Sequence, residues 1–198
     1  GRVVIPQSAV DDYLDRCRID HRPAPVPMIG GGLFYDTGLH LVAGSSNCGA
    51  TWLALAACID AVPAVQLPDN GPHAVYVHTG EDHEFPARLR ELGLSHRAAN
   101  RDDVALMDVD AEAAKRGEDV IVALRRVIEA LTSAPPRVVV IDSLPELAAK
   151  SWSKASDAEV IELLAALSET SCVIVLDTVN KQGQLRGSTS KLNAARAV

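Results

Sequence analysis

Hydrophobic residues fall into short, nearly continuous runs that are separated by longer stretches with helical character. Five of these runs have the length of a β-strand, at residues 39–43, 74–78, 104–107, 137–142 and 172–177. Strands that are apolar at successive positions are buried on both faces, which is typical of a parallel sheet. The pattern therefore predicts a central sheet that is covered on both sides.

The stretches between the strands supply the predicted helices. Residues 51–62 are apolar nearly all round, and residues 118–131 repeat apolar side chains on one helical face. A shorter helix is predicted at residues 84–92, and Ser156 and Glu159 form a capping-box pattern before another. This alternation predicts an α/β fold with a mostly parallel central sheet and helices on both faces. Ligands of such sheets bind beyond the carboxyl ends of the strands.

The N-terminal part of the chain lacks this alternation. Prolines recur through residues 22–27, which forbids helix and indicates an extended linker. A short helix is predicted before the linker, at residues 10–18, and the run Gly30–Gly32 marks a flexible turn. We therefore expect an N-terminal extension or linker over residues 1–38 and one α/β core over residues 39–198.

Composition and charge argue against several classes of function for this chain. The net charge of −7 and the aromatic content of 4% argue against a surface that coats DNA indiscriminately. The charge is uneven, however, because no acidic residue follows Asp177 while several basic residues do. Neither metal-ligand cysteine spacing nor a run of about 20 apolar residues occurs, so we expect a reduced, cytoplasmic protein that is not embedded in a membrane.

The segment between the first strand and the first helix of the core carries the clearest motif. It reads Gly, four variable residues, Gly, Ala and Thr, and it matches the phosphate-binding P-loop G-x-x-x-x-G-K-[ST] except at the lysine. The glycines let the backbone curl so that N–H groups point at phosphate oxygens, and the helix dipole favours the same anion. The predicted nucleotide-binding residues are Gly44, Ser45, Ser46, Asn47, Cys48, Gly49, Ala50 and Thr51.

Ala50 stands where the P-loop lysine belongs. Backbone groups can still bind phosphate there, but the loop loses its one mobile positive charge. Removing one aligned stabilising group typically costs about a hundredfold to a thousandfold in rate, so we expect hydrolysis to be impaired. Two explanations stay open: a natural loss of hydrolysis, or an introduced Lys→Ala change. The otherwise intact loop slightly favours the second.

Side chains at the strand ends supply the remaining candidates. Thr51 and Asp142 are predicted to hold Mg²⁺, although a strand-end aspartate can also cap the following turn. Glu81 follows the second strand and is the candidate general base, with a helix N-terminal charge as the alternative. Asp177 ends the last strand, where a sensor of the γ-phosphate or a second acid that faces the metal is expected, and Asn180 shares that position.

Four blocks of sequence resemble the RecA/DnaB-like branch of P-loop ATPases, in particular the compact helicase-like family of plasmid replication and phage proteins. They cover residues 39–55, 75–93, 137–147 and 173–198. Residues 79–82 with the later Arg-Leu pair are similar to that family's GED…RL region, and residues 186–190 look like its rGSs DNA-loop region. The resemblance implies that residues 39–198 form a RecA-like ATPase core.

The resemblance also implies partners. It implies a homo-oligomeric ring, usually a hexamer, with ATP held between subunits and single-stranded or forked DNA passing through the pore. Lys181, Arg186 and Arg196 are the candidates for DNA-loop residues or for a basic finger that reaches the neighbour's γ-phosphate, and a solvated basic tail is the alternative. The missing lysine and the absence of accessory domains favour a small accessory ATPase over a complete replicative helicase.

The leading hypothesis is therefore an ATP- and Mg²⁺-binding, DNA-associated protein of RecA type that acts in replication, recombination or repair. Two alternatives stay open. One is a metal-dependent DNA nuclease on the same fold, in which Glu81, Asp142 and Asp177 hold the metals. The other is a regulator that binds nucleotide and hydrolyses nothing, so whether the chain is an active enzyme is left undecided.

Overall fold

The computed structural model describes residues 28–45, 48–62, 72–79, 103–143 and 154–179, with side chains omitted for residues 154–158. The strands are β1 (Met28–Ile29), β2 (Phe34–Tyr35), β3 (Gly38–Gly44), β4 (Ala74–His78), β5 (Val104–Asp108), β6 (Val138–Asp142) and β7 (Cys172–Thr178). The helices are α1 (Ala50–Ala61), α2 (Val109–Arg116), α3 (Val120–Ser133) and α4 (Lys154–Leu167).

Five strands form one sheet in the order β3-β7-β6-β4-β5, and every neighbouring pair is parallel. The central strands are buried along nearly their whole length, as their continuous apolar runs require. All five correspond to strands predicted from the sequence, with ends that shift by one residue at most. The predicted α/β fold with a parallel sheet is confirmed.

Helices cover both faces of the sheet. Helix α1 packs on one face against Tyr76, Val140 and Ile174. Helices α2, α3 and α4 pack on the other face against Val75 and Val139, among others. Because side chains alternate along a strand, successive residues of β4, β6 and β7 point to these two layers in turn.

A two-stranded antiparallel hairpin, β1 and β2, extends the layer of α1. Ile29 and Phe34 are buried in the same cluster as the helix. The carboxylate of Asp60 in α1 accepts the backbone N–H of Gly30 at 2.8 Å, which ties the turn of the hairpin to the helix. The glycine turn predicted here is present, but the sequence pattern did not reveal the strands on either side. The predicted boundary between residues 38 and 39 stays a prediction.

Two helix starts differ from the prediction by two residues or more, whereas α1 begins one residue earlier than predicted. Asp119 caps α3 by accepting the N–H of Ile121 at 2.8 Å, so this helix begins at Val120 and not at residue 118. Helix α4 already begins at Lys154, so the predicted capping box at Ser156 is wrong: this residue lies inside the first turn, and Glu159 instead pairs with Arg125 of α3.

Helix α2 was not predicted from the sequence. It follows β5 directly and is capped by the side chain of Asp108, which accepts the N–H of Ala111 at 3.1 Å. The helices predicted at residues 10–18 and 84–92 lie outside the described residues. Within the described ranges, none of the helices combines the length and the apolar run that crossing a bilayer requires.

Candidate functional site

The carboxyl ends of the five parallel strands share one edge of the sheet. Along this edge Gly44 of β3 lies beside Thr178 of β7, and His78 of β4 lies between Asp108 of β5 and Asp142 of β6. Asp108 is engaged as the cap of α2. Asp142, at the end of β6, lies at the same edge on the side of α1 and does not serve as this cap.

Two described residues of the predicted phosphate loop, Ser45 and Cys48, are hydrogen-bonded to each other at this edge. The N–H of Cys48 donates to the carbonyl of Ser45 at 3.1 Å, and the side chain of Cys48 folds over Gly44 so closely that a β-carbon on Gly44 would overlap its sulfur. Gly49 has φ of 90°, a backbone conformation that favours glycine. Gly49 therefore has a conformational reason in this structure, and Gly44 has a steric one.

Helix α1 begins directly after the loop, at Ala50. The N–H of Leu53 is the first that bonds within the helix, to the carbonyl of Gly49 at 3.0 Å. The amides of Ala50, Thr51 and Trp52 precede this bond, and the first turn contains no acidic residue. Such a helix start has the backbone donors and the dipole to bind an anion.

Thr51 and Asp142, which are far apart in the sequence, meet at the start of α1. The hydroxyl of Thr51 donates to Oδ2 of Asp142 at 3.2 Å, and the pair is partly buried. The structure thus brings together the two side chains that the sequence suggested for Mg²⁺. Their role as metal ligands stays a prediction.

Tyr76 is a third member of this group, and no sequence motif marks it. Its phenol donates a short hydrogen bond to the same Oδ2 of Asp142, although the side chain is only 1% exposed. Burial raises the pKa of the Tyr76 phenol far above its usual range, and the carboxylate of Asp142 raises it further, so the phenol stays protonated. A tyrosine within a buried aliphatic strand was the available signal, because a buried phenol requires a partner.

The donor set fits Mg²⁺. This cation prefers oxygen ligands and is usually held by one or two carboxylates together with phosphate oxygens and water. Thr51 and Asp142 supply a hydroxyl and a carboxylate beside the loop. When bound, the ion would neutralise phosphate charge and hold the triphosphate in place. In the described part of the chain, no three His, Cys, Asp or Glu side chains cluster as a separate metal site.

Asp177 lies on β7, opposite Ala43 of β3, and is 3% exposed. Its Oδ1 accepts the N–H of Thr178 at 2.7 Å. The preceding residue, Leu176, packs in the layer of α1, so alternation along the strand points Asp177 to the opposite face from Asp142. The carboxylates of Asp142 and Asp177 therefore lie on opposite faces of the sheet.

The other predicted site residues lie outside the described part of the chain. They are Ser46, Asn47, Glu81, Asn180, Lys181, Arg186 and Arg196. The predicted general base, the finger and the DNA-loop roles consequently stay predictions.

Comparison with known proteins agrees with the geometry of the loop and the sheet. The family model described as "AAA domain" matches residues 6–184 of the chain. No match is found among curated proteins. A parallel five-stranded sheet flanked by helices, with a phosphate-loop motif between its edge strand β3 and α1, is the architecture of a P-loop ATPase-type domain. The chain therefore belongs to the AAA domain family of P-loop ATPases.

Proposed function

We propose that this chain binds ATP with Mg²⁺ at the edge formed by the phosphate loop, Thr51 and Asp142, that it hydrolyses ATP poorly, and that it acts on DNA in the cytoplasm as a helicase-like accessory ATPase. The hydrogen bond from Thr51 to Asp142 carries the proposal. In a P-loop site the hydroxyl contacts the ion beside the β- and γ-phosphates, and the aspartate supports it from the neighbouring strand. The 3.2 Å between the Thr51 hydroxyl and Oδ2 of Asp142 supports a cation shared by both groups.

The poor hydrolysis follows from Ala50. Its methyl group has no charge to place against the phosphates, while the amides at the start of α1 remain available. Binding and hydrolysis are therefore separable in this chain. A regulator that binds ATP without hydrolysing it would carry the same residue.

The proposed action on DNA rests on the RecA/DnaB-like resemblance and on charge. The chain has net charge −7, yet Lys181, Arg186, Lys191 and Arg196 follow the last acidic residue, Asp177. A local basic segment on an acidic protein directs a polyanion to one place rather than over the whole surface. We place single-stranded DNA there, within a homo-oligomeric ring. The nuclease alternative needs Asp142 and Asp177 on one side of the sheet, so we do not favour it.

Calorimetric titration with ATP, in Mg²⁺ and in EDTA, tests the nucleotide site. We expect ATP to bind more tightly with Mg²⁺ than with EDTA, and Thr51→Ala and Asp142→Asn to remove most of that difference. Glu162→Gln, which neutralises an exposed carboxylate on α4, is the matched control. Equal binding with and without Mg²⁺ in the parent chain would refute the proposed site.

The Ala50→Lys variant tests whether hydrolysis was lost through this one residue. We expect its ATPase rate to rise by about a hundredfold to a thousandfold over the parent, and single-stranded DNA to stimulate it further. A variant that binds ATP but stays inactive with and without DNA supports the regulator instead. Binding of a labelled oligonucleotide should weaken steeply with salt, and Lys181→Ala with Arg186→Ala should reduce the slope, because fewer counterions are then released.

A further inference from the structure

Tyr76 sits at the centre of β4, on the face of the sheet covered by α1. In the register between β4 and β6, Tyr76 pairs with Val140, and His78 pairs with Asp142. Asp142 is thus a diagonal neighbour two residues nearer to the carboxyl edge, within reach of a long aromatic side chain. The strand register therefore allows the phenol to extend from the buried core to the site.

Two hydroxyl groups converge on one oxygen at that point. Tyr76 and Thr51 both donate to Oδ2 of Asp142. An ionised carboxylate accepts through two oxygens with about four lone-pair sites. Two bonds on Oδ2 consequently fix the rotation of the carboxylate and leave capacity for a hydrated cation.

The phenolic oxygen is not required for packing. The ring of Tyr76 lies in an apolar cluster with Ala54, Cys58 and Val140, where a phenylalanine would fill almost the same space. Burying a hydroxyl is unfavourable unless it is hydrogen-bonded, so the packing alone gives no reason for the phenol. Its hydrogen bond to Asp142 is a contact that a phenylalanine could not make.

The phenol of Tyr76 is also a neutral donor, which suits a group that orients the carboxylate of Asp142. A lysine or arginine at this place would offset the carboxylate charge that attracts Mg²⁺, whereas a neutral phenol orients the group and leaves its charge in place. Thr51, by contrast, is itself a proposed ligand of the ion. Among the donors to Oδ2, Tyr76 is the one with no proposed contact to the metal.

We propose that Tyr76 is a positioning residue that holds the carboxylate of Asp142 toward Thr51 and so sets the affinity of the nucleotide site for Mg²⁺. The inference rests on the proposed function of that site. Partners that orient metal ligands typically contribute about 10- to 100-fold to metal affinity. Tyr76→Phe should therefore weaken the response to Mg²⁺ and leave the phosphate loop unchanged.

The experiment titrates Mg²⁺ into the intact chain at fixed ATP and follows ATP binding, with a parallel series in EDTA. For Tyr76→Phe we expect the Mg²⁺ concentration at half-effect to rise about 10- to 100-fold, while ATP affinity in EDTA stays within about twofold of the parent. Direct binding of Mn²⁺ to the ATP complex, followed by electron paramagnetic resonance, should weaken in parallel. Tyr35→Phe on β2 is the matched control, since it removes a phenol remote from Asp142.

The outcomes separate this inference from the proposed function. The site is supported if ATP binding by the parent responds to Mg²⁺ and Asp142→Asn abolishes that response. If Tyr76→Phe then keeps the parent's Mg²⁺ midpoint, the positioning role is refuted and the site stands. Equal weakening of ATP binding with Mg²⁺ and in EDTA also refutes it, because that result indicates a general structural role. A parent that shows no Mg²⁺ response refutes both. Should Tyr76→Phe be unstable at the assay temperature, both titrations are repeated on it and on the parent at a lower temperature, at which circular dichroism shows the variant to be folded, and the same two criteria apply.

Discussion

The imidazole of His40 meets the ring of Phe34 edge-on, with 5.4 Å between the ring centroids and 73° between the planes. Tyr35 of the same hairpin lies on the ring as well, at 6.0 Å between centroids. His40 is 3% exposed, and within the described residues neither ring nitrogen has a hydrogen-bond partner of good geometry. Burial lowers the pKa of His40 and outweighs the opposite influence of the Tyr35 backbone. The fold consequently holds this histidine neutral.

This burial predicts a loss of stability in mild acid. The unfolded chain regains the ordinary histidine pKa of about 6.5 and takes up a proton below it, whereas folded His40 does so only at lower pH. The contribution of neutral His40 to the free energy of unfolding is fully present above about pH 6.5. It falls as the pH drops toward the pKa of His40 in the folded chain, by at most about 1.4 kcal/mol per pH unit. Urea unfolding at several pH values should show a smaller loss for His40→Leu than for the parent.

His73→Gln is the control for this pH series, because His73 is a half-buried histidine directly before β4. Its pH series is recorded beside those of the parent and of His40→Leu. An identical pH dependence in His40→Leu and the parent would show that His40 does not remain neutral in the folded chain.

Asp60 is predicted to hold the hairpin of β1 and β2 on α1. Its Oδ2 accepts the N–H of Gly30 at 2.8 Å and, more weakly, that of Gly31 at 3.5 Å. Asp60→Ala removes these acceptors and should destabilise the chain by about 1 kcal/mol, since the site is exposed to solvent. Amide hydrogen exchange should increase in β1 and β2 before it does in β6.

Glu129→Ala, which removes an exposed carboxylate from α3, is the comparison for the Asp60 variant. It should leave exchange in the hairpin unaltered. Equal exchange in the hairpin of Asp60→Ala and of the parent would mean that apolar packing of Ile29 and Phe34 holds it alone.

The central sheet was predictable because its strands are apolar on both faces. The run at residues 138–142 is four aliphatic residues and an aspartate, a pattern that periodicity detects without knowledge of the tertiary structure. Helix α2 was missed because it is short, follows β5 without a loop and buries only Val109 and Ala113. Its Asp108 cap and Gly117 end are ordinary helix signals, but the polar residues between them mask the apolar face.

The site was predictable in part. The phosphate-loop motif places Thr51 at a helix start, and Asp142 ends a buried strand, so topology alone brings both to one edge. Tyr76 was not predictable as their partner, because its contact depends on the pairing of β4 with β6 and on the pleat of both strands. The direction of Asp177 also depends on the tertiary structure. Because Leu176 packs on the face covered by α1, alternation along β7 places Asp177 on the face opposite to Asp142.

Thiol reactivity gives a test of the loop in the unaltered chain. Cys48 is exposed in the phosphate loop, while Cys58 of α1 and Cys172 of β7 are buried. Burial raises the pKa of the Cys58 thiol strongly and that of Cys172 to about 12, so both are expected to resist alkylation in the folded protein. Brief treatment with a maleimide and peptide mapping should find Cys48 modified and these two unmodified.

ATP with Mg²⁺ should protect Cys48 from the same reagent. If the reagent reacts only with the unliganded chain, ligand at ten times its Kd slows labelling by about tenfold. AMP, which lacks the β- and γ-phosphates, is the control ligand and should protect far less at the same concentration. Unchanged labelling of Cys48 in saturating ATP would place the nucleotide away from this loop.

The close approach of Cys48 to Gly44 predicts a coupled pair of substitutions. A β-carbon at Gly44 would overlap the sulfur of Cys48 and lie 3.2 Å from its β-carbon. Gly44→Ala alone must therefore rotate the thiol or shift the loop, and we expect ATP binding to weaken by about tenfold, or about 1.4 kcal/mol. We expect the double variant Gly44→Ala/Cys48→Ala to bind ATP more tightly than Gly44→Ala.

Removing the sulfur leaves only the 3.2 Å contact between the two β-carbons, which a small adjustment relieves. Calorimetry on all four corners of the cycle, with Cys48→Ala as the reference corner, measures the coupling. Additive effects would mean that the two residues do not pack against each other in the folded loop.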